Sequence, residues 1–397
     1  MRTQVAIVGA GPAGLMLGHL LHLQGIEAII LEARSRRYVE ERIRAGVLEQ
    51  QTVDMLDATG VGERMGREGL LHHGIELGFN KKRFRIDMEA LTGKAVMVYA
   101  QHEVVKDLIQ ARLAAGAPLI FEAQNVSISG FEGDKPLVRY EKQGVSEEIE
   151  CDFIAGCDGF HGVCRPSVPE GVLKTFERVY PFGWLGILAE AAPSQEELVY
   201  MNSDRGFALF SMRSPTITRL YLQCEPEEDI SKWSDDQIWE ELLTRLESED
   251  GWKPNVGKIL QKGVTPMRSY VTEPMQFGRL FLAGDAVHIV PPTGAKGLNL
   301  AMSDVRVLAE SLYAFYSRGD RDLLASYSDV CLRRIWKVQR FSWWMTSMLH
   351  KFPEANAFDQ RRQVAELDYL SSSDAAARSL AENYVGLPLD MPEQRIF

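Results

Sequence analysis

Long apolar runs and an excess of positive charge are both missing from this chain. No apolar run approaches the ~18 residues of a membrane-spanning helix, so the sequence predicts no membrane partner. The formal net charge of −11 argues against nucleic acid or an anionic membrane as the main partner. Residues 1–6 run directly into a predicted strand, so we expect no secretion signal.

Cysteine is also scarce, with five residues in 397. The number is odd and the spacing fits no metal-ligand pattern, so we predict neither a disulfide framework nor a metal site. We interpret all five as reduced thiols of a cytoplasmic protein: Cys151, Cys157, Cys164, Cys224 and Cys331.

One glycine-rich motif lies near the start of the chain. Gly9, Gly11 and Gly14 follow a predicted strand over 3–8 and open a predicted helix over 12–24. Such glycines permit a tight turn and the close approach of a pyrophosphate to the helix N-terminus. A second predicted strand, 27–31, leads to Glu32, where an acid can hold a ribose hydroxyl. This context disfavours the simpler interpretation of a glycine turn beside a surface glutamate.

A second candidate phosphate loop lies far along the chain. Gly284 and Asp285 follow a predicted strand over 279–283. Two such loops favour one long cofactor, FAD, over NAD. The sequence has no second GxGxxG, so a nicotinamide nucleotide would have to dock on the surface of the flavin domain.

The sequence predicts an α/β fold in three parts. A Rossmann-like FAD-binding domain with a parallel sheet covers 1–174 and is completed by 279–300. Aromatic-rich, alternating segments predict an antiparallel β-sheet substrate domain over 175–278. A helical region covers 291–397, and its aromatic face is interpreted equally well as core or as a subunit interface: Trp336, Phe341, Trp343, Trp344 and Met345.

Two further clusters suggest ligand contacts. Five arginines within eleven residues follow the ribose-binding strand and suit phosphate recognition better than a solvated loop: Arg34, Arg36, Arg37, Arg42 and Arg44. Ser211 and Arg213 are two apart on a predicted strand and so share a face. They could clamp the carboxylate of a small aromatic acid, although that segment alone is also typical of an exposed strand.

Taken together, these motifs resemble the single-component flavin-dependent aromatic hydroxylases. The resemblance includes the glycine loop with Glu32, the segments 42–47 and 181–186, Cys157-Asp158-Gly159 with Arg165, and Gly284-Asp285. It continues through 289–300, 333–346 and 382–388, so it runs nearly from end to end.

The resemblance implies a set of site residues. FAD would be held by Gly9, Gly11, Ala13, Gly14, Glu32, Arg42, Ile43, Arg44, Ala45, Gly46, Val47, Gln101, Asp158, Asp285, Leu298 and Asn299. An aromatic substrate would meet Tyr200, Ser211, Met212, Arg213, Tyr221 and Pro292. The catalytic set would be Pro292 and a proton relay from Tyr200 through Tyr384 to His72 at the solvent. NAD(P)H would dock on Arg34, Tyr38, Arg44, His161, Arg165 and Arg268.

The implied reaction is hydroxylation of 4-hydroxybenzoate to 3,4-dihydroxybenzoate by a homodimer, with O2 and NAD(P)H, through a flavin C4a-hydroperoxide. Ala33 stands where NADPH-specific relatives often carry a basic residue, so NADPH and NADH both remain candidates. Alternatives are the same chemistry on 3-hydroxybenzoate or salicylate, a flavin-binding protein without turnover, and a simple flavin oxidase.

Overall fold

The computed structural model describes residues 1–42, 44 and 46–390. The strands are β1 (Val5–Val8), β2 (Ala28–Glu32), β3 (Val47–Leu48), β4 (Leu70–His72), β5 (Gly74–Phe79), β6 (Lys82–Asp87), β7 (Val96–Val98), β8 (Leu119–Phe121), β9 (Gln124–Ser129), β10 (Leu137–Lys142), β11 (Val145–Glu150), β12 (Phe153–Gly156), β13 (Lys174–Glu190), β14 (Val199–Met201), β15 (Ala208–Ser214), β16 (Ile217–Cys224), β17 (Lys258–Glu273), β18 (Gln276–Phe277), β19 (Leu280–Leu282) and β20 (His288–Ile289). The helices are α1 (Pro12–Leu23), α2 (Arg36–Glu41), α3 (Gln50–Ala58), α4 (Glu63–Glu68), α5 (Met88–Thr92), α6 (Gln101–Ala114), α7 (Asp235–Arg245), α8 (Gly297–Arg318), α9 (Asp322–Leu349), α10 (Ala357–Ser372) and α11 (Asp374–Val385).

The first sheet is the predicted nucleotide-binding sheet. Its strands lie in the order β18-β19-β12-β1-β2-β8, and all pairs are parallel except β18 with β19. All four residues of β1 are buried, as expected of a central parallel strand covered on both faces. The loop after β1 therefore emerges at the carboxyl edge of the sheet, where ligands of such folds bind.

The second sheet is antiparallel except where β14 pairs with β5. Its order is β20-β17-β13-β16-β15-β14-β5-β6, with β13 and β17 forming its longest pair. The sequence predicted a boundary near residue 174, which is where β13 begins. Residues 74–87 nevertheless contribute β5 and β6 to this sheet, so the first segment of the chain reaches into it. The two sheets are interleaved along the chain because this hairpin adds its strands at the edge next to β14.

Helices α8–α11 close the molecule. Phe341 and Met345 of α9 are buried in one core with residues of the second sheet, whereas Trp336 and Trp343 are 41% and 42% exposed. The predicted aromatic face is therefore core on one side and surface on the other. Among the described helices, none is both long enough and apolar enough to cross a membrane.

Candidate cofactor and substrate site

The glycine loop after β1 has the geometry of a phosphate cradle. Gly9 has φ +105°, and a Cβ there would lie 2.3 Å from the carbonyl oxygen of Cys157. A Cβ on Gly14 would lie 1.9 Å from the carbonyl oxygen of Gly9, whereas one on Gly11 would meet nothing within 4 Å. Gly11 therefore borders open space at the N-terminus of α1, where no side chain caps the helix. First-turn N–H groups without a cap are available to an anion.

Glu32 holds this loop in place from the end of β2. Its Oε2 accepts a hydrogen bond from the Ala10 backbone N–H at 2.9 Å, and its Oε1 accepts one from the Arg34 N–H at 2.8 Å. The carboxylate thus lies directly beside the cradle, at the position where a ribose hydroxyl can reach it.

The second loop, 284–285, is held by the buried ion pair of His288 and Asp304. The Asp304 Oδ2 of α8 accepts hydrogen bonds from the Gly284 N–H at 3.0 Å and from His288 Nε2 at 2.7 Å. His288 and Asp304 are 0% and 1% exposed, whereas Asp285 is exposed. Burial disfavours the charged form of His288, but the carboxylate of Asp304 outweighs this and raises the pKa of the imidazole. No sequence pattern pointed to Asp304.

A third segment, 46–49, lies against the same space. A Cβ on Gly46 would lie 2.0 Å from the Tyr99 carbonyl oxygen and 2.7 Å from the Gln101 N–H nitrogen, so only glycine fits there. The Asn299 side chain, at the start of α8, donates to the Val47 carbonyl and accepts from the Glu49 N–H. If Asn299 or Leu298 binds a ligand, the contact would therefore be made by the backbone N–H groups in the first turn of α8, which no side chain caps.

Arg44 lies near both the second loop and the second sheet. Desolvation and Arg42 lower the pKa of the Arg44 guanidinium, while Asp285 and Tyr221 lie near enough to act against that shift. The neighbouring predicted contacts Ile43 and Ala45 lie outside the described residues.

Near the cradle, the Glu49 carboxylate forms ion pairs with two buried cations, Lys296 and Arg334. Glu49 Oε1 accepts from Lys296 Nζ at 2.7 Å, and its Oε2 pairs with Arg334. Burial opposes ionisation of Glu49, but the two cations outweigh it and lower its pKa. Lys296 also donates to the Tyr384 carbonyl at 2.7 Å, so this cluster anchors the C-terminal helix. Sequence reasoning missed it because its members are far apart along the chain.

Asp158, a predicted cofactor contact, is hydrogen-bonded within its own loop. Its Oδ2 accepts from the Cys164 N–H at 2.8 Å, and Oδ1 is buried without a hydrogen-bond partner. Burial raises its pKa. The carboxylate is turned toward its own 158–164 loop, so it shapes that loop, and direct contact with a cofactor stays a prediction.

Two of the predicted substrate residues, Met212 and Tyr221, are hydrogen-bonded to a third, Arg213, a cation that lacks a counter-charge. Arg213 of β15 is partly buried, and its Nε is buried without a hydrogen-bond partner. Its Nη1 donates to the Met212 carbonyl at 2.9 Å and its Nη2 reaches the Tyr221 hydroxyl at 3.4 Å. In the described part of the chain, no acidic side chain forms a salt bridge with Arg213 or Arg219. Burial lowers the pKa of Arg213, as expected for a charge removed from water without compensation.

The pKa of the Tyr221 hydroxyl, on β16, is also affected by these positive charges. Burial would raise the pKa of its hydroxyl, but Arg213 and Arg219 outweigh that effect and lower it. The Arg219 guanidinium lies 5.1 Å from the centre of the Tyr221 ring. Two guanidinium groups thus converge on one phenol, and the group that would balance them is an anion.

Ser211 and Met212 differ in what they offer a ligand. The Ser211 hydroxyl donates to the Arg219 carbonyl at 2.8 Å, so its lone pairs, rather than its proton, remain free. The Met212 side chain packs with Leu220 and Ile238 in a core separate from the one that contains Tyr200 and Leu209. Met212 can therefore contribute only its backbone on the Ser211 side of the strand.

Two residues of the expected proton relay are in hydrogen-bond contact. The Tyr200 and Tyr384 hydroxyl oxygens are 2.6 Å apart, and both side chains are buried. His72 was expected at the solvent, which is wrong, because it is 0% exposed on β4. Both of its ring nitrogens are buried without a hydrogen-bond partner, and burial lowers its pKa to about 4. Pro292 is exposed, and its carbonyl accepts from the Ala295 N–H at 2.9 Å.

The predicted nicotinamide-docking residues form two groups. Arg34 stacks on Tyr38, with its guanidinium carbon 5.4 Å from the ring centre. In the same arginine cluster, Arg36 and Arg37 form ion pairs with Glu40 and Glu41 at the protein surface. Such pairs are also typical of a solvated loop with no ligand.

The second group surrounds Phe160, a residue that sequence reasoning did not select. The guanidinium carbons of Arg165 and Arg268 lie 4.7 Å and 4.9 Å from its ring centre, and His161 packs against its edge. Arg165 also donates to the Ala286 carbonyl at 3.0 Å, which ties this group to the second loop.

Comparison with known proteins agrees with this arrangement. Residues 2–342 match the model of a family described as an FAD binding domain. The p-hydroxybenzoate hydroxylase of Acinetobacter baylyi is 54% identical over 392 residues, which cover 98% of this chain and 97% of that protein. The chain belongs to this family of FAD-dependent monooxygenases.

Solved structures show the same fold. The p-nitrophenol 4-monooxygenase of Pseudomonas putida superposes with a TM-score of 0.83 at 17% identity, covering 98% of this chain and 99% of that one. An aklavinone-11 hydroxylase solved with FAD and aklavinone gives a TM-score of 0.72 at 19% identity, covering 88% of this chain and 69% of that one. The expectation of a flavin-dependent aromatic hydroxylase with an α/β fold is confirmed.

The His288–Asp304 pair predicts a pH-dependent stability difference. Asp304→Asn keeps an acceptor for the Gly284 N–H but leaves His288 without a counter-charge, which should cost about 3–5 kcal/mol of unfolding free energy. The pKa of His288 is higher in the folded protein than in the unfolded chain, so its protonation stabilises the fold. This stabilisation is complete at pH values below the pKa of the unfolded chain, and it is lost as the pH rises through the pKa of the folded protein. Urea unfolding of the FAD-loaded protein should therefore show a larger deficit at pH 6 than at pH 9. Asp329→Asn, at an exposed site on α9, is the control, and a deficit independent of pH would contradict the assignment.

Proposed function

We propose that this protein hydroxylates 4-hydroxybenzoate at C3 to give 3,4-dihydroxybenzoate, using FAD, O2 and NAD(P)H. The observation that carries the proposal is the partly buried Arg213, which has an unpartnered Nε and no acidic partner in the described chain. A carboxylate is the group that satisfies a guanidinium in such a place, through charge and paired hydrogen bonds. The 54% identical relative, a p-hydroxybenzoate hydroxylase, supports a para-hydroxylated acid.

The residues around the cradle fit FAD. The open space at Gly11, the Glu32 carboxylate and the uncapped first turns of α1 and α8 offer donors and an acceptor along an extended ligand. When bound and reduced, the flavin supplies the activated oxygen. Arg44 would then face both the flavin loop and the substrate strands.

The chain's own contribution is to hold and ionise the substrate. Arg213 and Tyr221 would fix the carboxylate, which turns the para hydroxyl toward the pair Tyr200–Tyr384. A phenol titrates near ~10, so ionisation at neutral pH needs an acceptor for its proton. Burial raises the pKa of Tyr200, so that hydroxyl stays neutral and can relay a proton to Tyr384.

His72 would be the next acceptor. Its lowered pKa of about 4 keeps it neutral at pH 7, and both nitrogens are without partners in the described protein. No direct hydrogen bond joins it to Tyr384, so the proton would need a bridging water, for which two unpartnered nitrogens provide sites.

Docking of the nicotinamide nucleotide on the Arg34–Tyr38 and Phe160 groups belongs to the same proposal. So do a cytoplasmic location and a homodimer, for which the exposed Trp336 and Trp343 are candidate contacts.

Turnover with three isomers tests the proposed function. The FAD-loaded protein is mixed with NADH or NADPH and with 4-hydroxybenzoate, 3-hydroxybenzoate or salicylate, and products are identified by mass. We expect NAD(P)H oxidation to be stimulated by 4-hydroxybenzoate, with one 3,4-dihydroxybenzoate formed per nucleotide. Equal stimulation by another isomer would reassign the substrate, and bound FAD without aromatic-dependent oxidation would indicate a flavin-binding protein without turnover.

Replacing Arg213 should separate function from stability. Arg213→Met removes the carboxylate partner, so the KM for 4-hydroxybenzoate should rise more than ~30-fold, corresponding to ~2 kcal/mol or more. Arg213→Lys should also be costly, because an ammonium cannot form the paired contacts of a guanidinium. The ligand-free Arg213→Met protein should unfold at least as high in urea as the wild type, because an unpaired buried charge is lost. The exposed Arg205→Met is the control; an unchanged KM in Arg213→Met would move the clamp elsewhere.

Removing the Tyr200 hydroxyl should uncouple turnover. Tyr200→Phe keeps the ring but removes the proton acceptor, so hydroxylation should fall by about 10²–10⁴-fold while flavin reduction by NAD(P)H persists. The measurement is product and H2O2 formed per nucleotide oxidised. Tyr140→Phe removes another buried tyrosine hydroxyl, bonded to Glu147 at 2.8 Å on a different sheet, and should stay coupled. Normal coupling in Tyr200→Phe would refute the relay.

A further inference from the structure

A stack of buried rings extends from the substrate clamp into the core. The centre of the Trp184 ring of β13 lies 4.8 Å from the centre of the Tyr221 ring and 5.2 Å from that of Phe207. His350 directly follows α9, and its ring stacks on Phe182 and Phe207 at centroid distances of 4.7 Å and 4.4 Å. It meets the edge of Trp184 with the two rings nearly coplanar, at an interplanar angle of 10° and a centroid distance of 5.8 Å. Trp184 and His350 are 3% and 0% exposed. The ring that supports Tyr221 is therefore itself supported by His350.

Hydrogen bonds fix the chemical state of His350. Trp184 Nε1 lies 2.7 Å from His350 Nε2, and an indole nitrogen can only donate, so Nε2 must accept. His350 Nδ1 lies 3.0 Å from the Thr346 carbonyl oxygen, so Nδ1 carries the proton. The imidazole is neutral in this arrangement, and burial lowers its pKa to about 3. Only the Nδ1-protonated tautomer fits both partners.

The end of α9 is also bonded to the turn that contains Pro292, a predicted substrate contact. The single proton of the Thr346 hydroxyl goes to the Ser342 carbonyl at 2.7 Å. The Thr293 hydroxyl, 2.9 Å from Thr346 Oγ1, must therefore be the donor of that bond. Thr293 follows Pro292 in the short 3-10 turn beside Lys296. The segment 346–350 is thus bonded to Trp184, whose ring contacts Tyr221, and to Thr293 in the proline turn.

We propose that His350 is a positioning residue for the carboxylate end of the substrate. It acts through Trp184 on Tyr221, and because Thr346 also holds Thr293, the last turn of α9 sets the spacing between the two ends of the pocket. The inference rests on the proposed function, since it takes the ligand to be an aromatic carboxylate. A ring stack alone would tolerate phenylalanine at position 350, whereas the hydrogen-bonded arrangement requires an acceptor there.

Two variants at His350 separate these requirements. His350→Phe keeps a ring but leaves the buried Trp184 N–H without an acceptor, whereas His350→Gln loses the ring and can still place an oxygen near the Nε2 position. Dissociation constants are measured on the FAD-loaded protein for 4-hydroxybenzoate and for 4-hydroxybenzaldehyde, which has the same ring and hydroxyl without the charge. The readout is the ratio of the two constants, which a general loss of stability would leave unchanged.

In His350→Phe, we expect the preference for the carboxylate to fall at least about fivefold, the lower end of the effect of an unpaired buried donor. His350→Gln should retain most of the preference. Trp184→Phe removes the donor instead and should lose the preference to the same extent, and adding His350→Phe to it should cause no further loss. FAD content and the melting temperature are recorded for each variant.

An unchanged ratio in both His350→Phe and Trp184→Phe would overturn the proposal, as would an equal loss in His350→Phe and His350→Gln. If His350→Phe does not fold, Trp184→Phe and His350→Gln decide the question by the same ratio. Failure of the proposed function is a separate result, because the wild type would then show no preference for the carboxylate.

Discussion

An unpaired positive charge at Arg213 is the constraint on which the substrate site depends. Its Nε has no partner, and Arg219 adds a second guanidinium beside the same tyrosine hydroxyl. A protein that only needed stability would gain by replacing such a group with an apolar one. Retaining it makes sense where a ligand supplies the missing anion, and the para hydroxyl of that ligand then lies on the side of Tyr200.

The fold brings this charge next to the cofactor cradle by interleaving its two sheets. Residues 74–87 leave the nucleotide-binding part of the chain to extend the second sheet, and the C-terminal helices return over both. Glu49 is bonded to Lys296 and Arg334, so one carboxylate ties together the loop near the flavin cradle, the start of α8 and the middle of α9. Tyr384 is tied to the same cluster through its carbonyl, which couples the proton relay to the cradle.

The sequence predicted what local patterns determine. The glycine loop, Glu32 and the class of the fold follow from glycine spacing and strand periodicity, and α1 begins at the predicted Pro12. It did not predict Asp304, Glu49 or His350, because each acts through a partner that is distant along the chain or through a ring tautomer. His72 was misplaced at the surface for the same reason, since its burial depends on elements that pack over β4. Arg36 and Arg37 pair locally with Glu40 and Glu41, and their predicted contact with phosphate stays a prediction.

The most direct test of the central claim is the melting temperature of the FAD-loaded protein with matched ligands. 4-Hydroxybenzoate and 4-hydroxybenzamide share ring, hydroxyl and size, and differ in the charge at the end that Arg213 would bind. A ligand that binds only the folded state raises the melting temperature by an amount that grows with the logarithm of its concentration divided by its Kd, so at equal concentration the tighter ligand gives the larger rise. The account predicts a clear rise with the acid at concentrations where the amide has little effect. Equal rises with both ligands would contradict it.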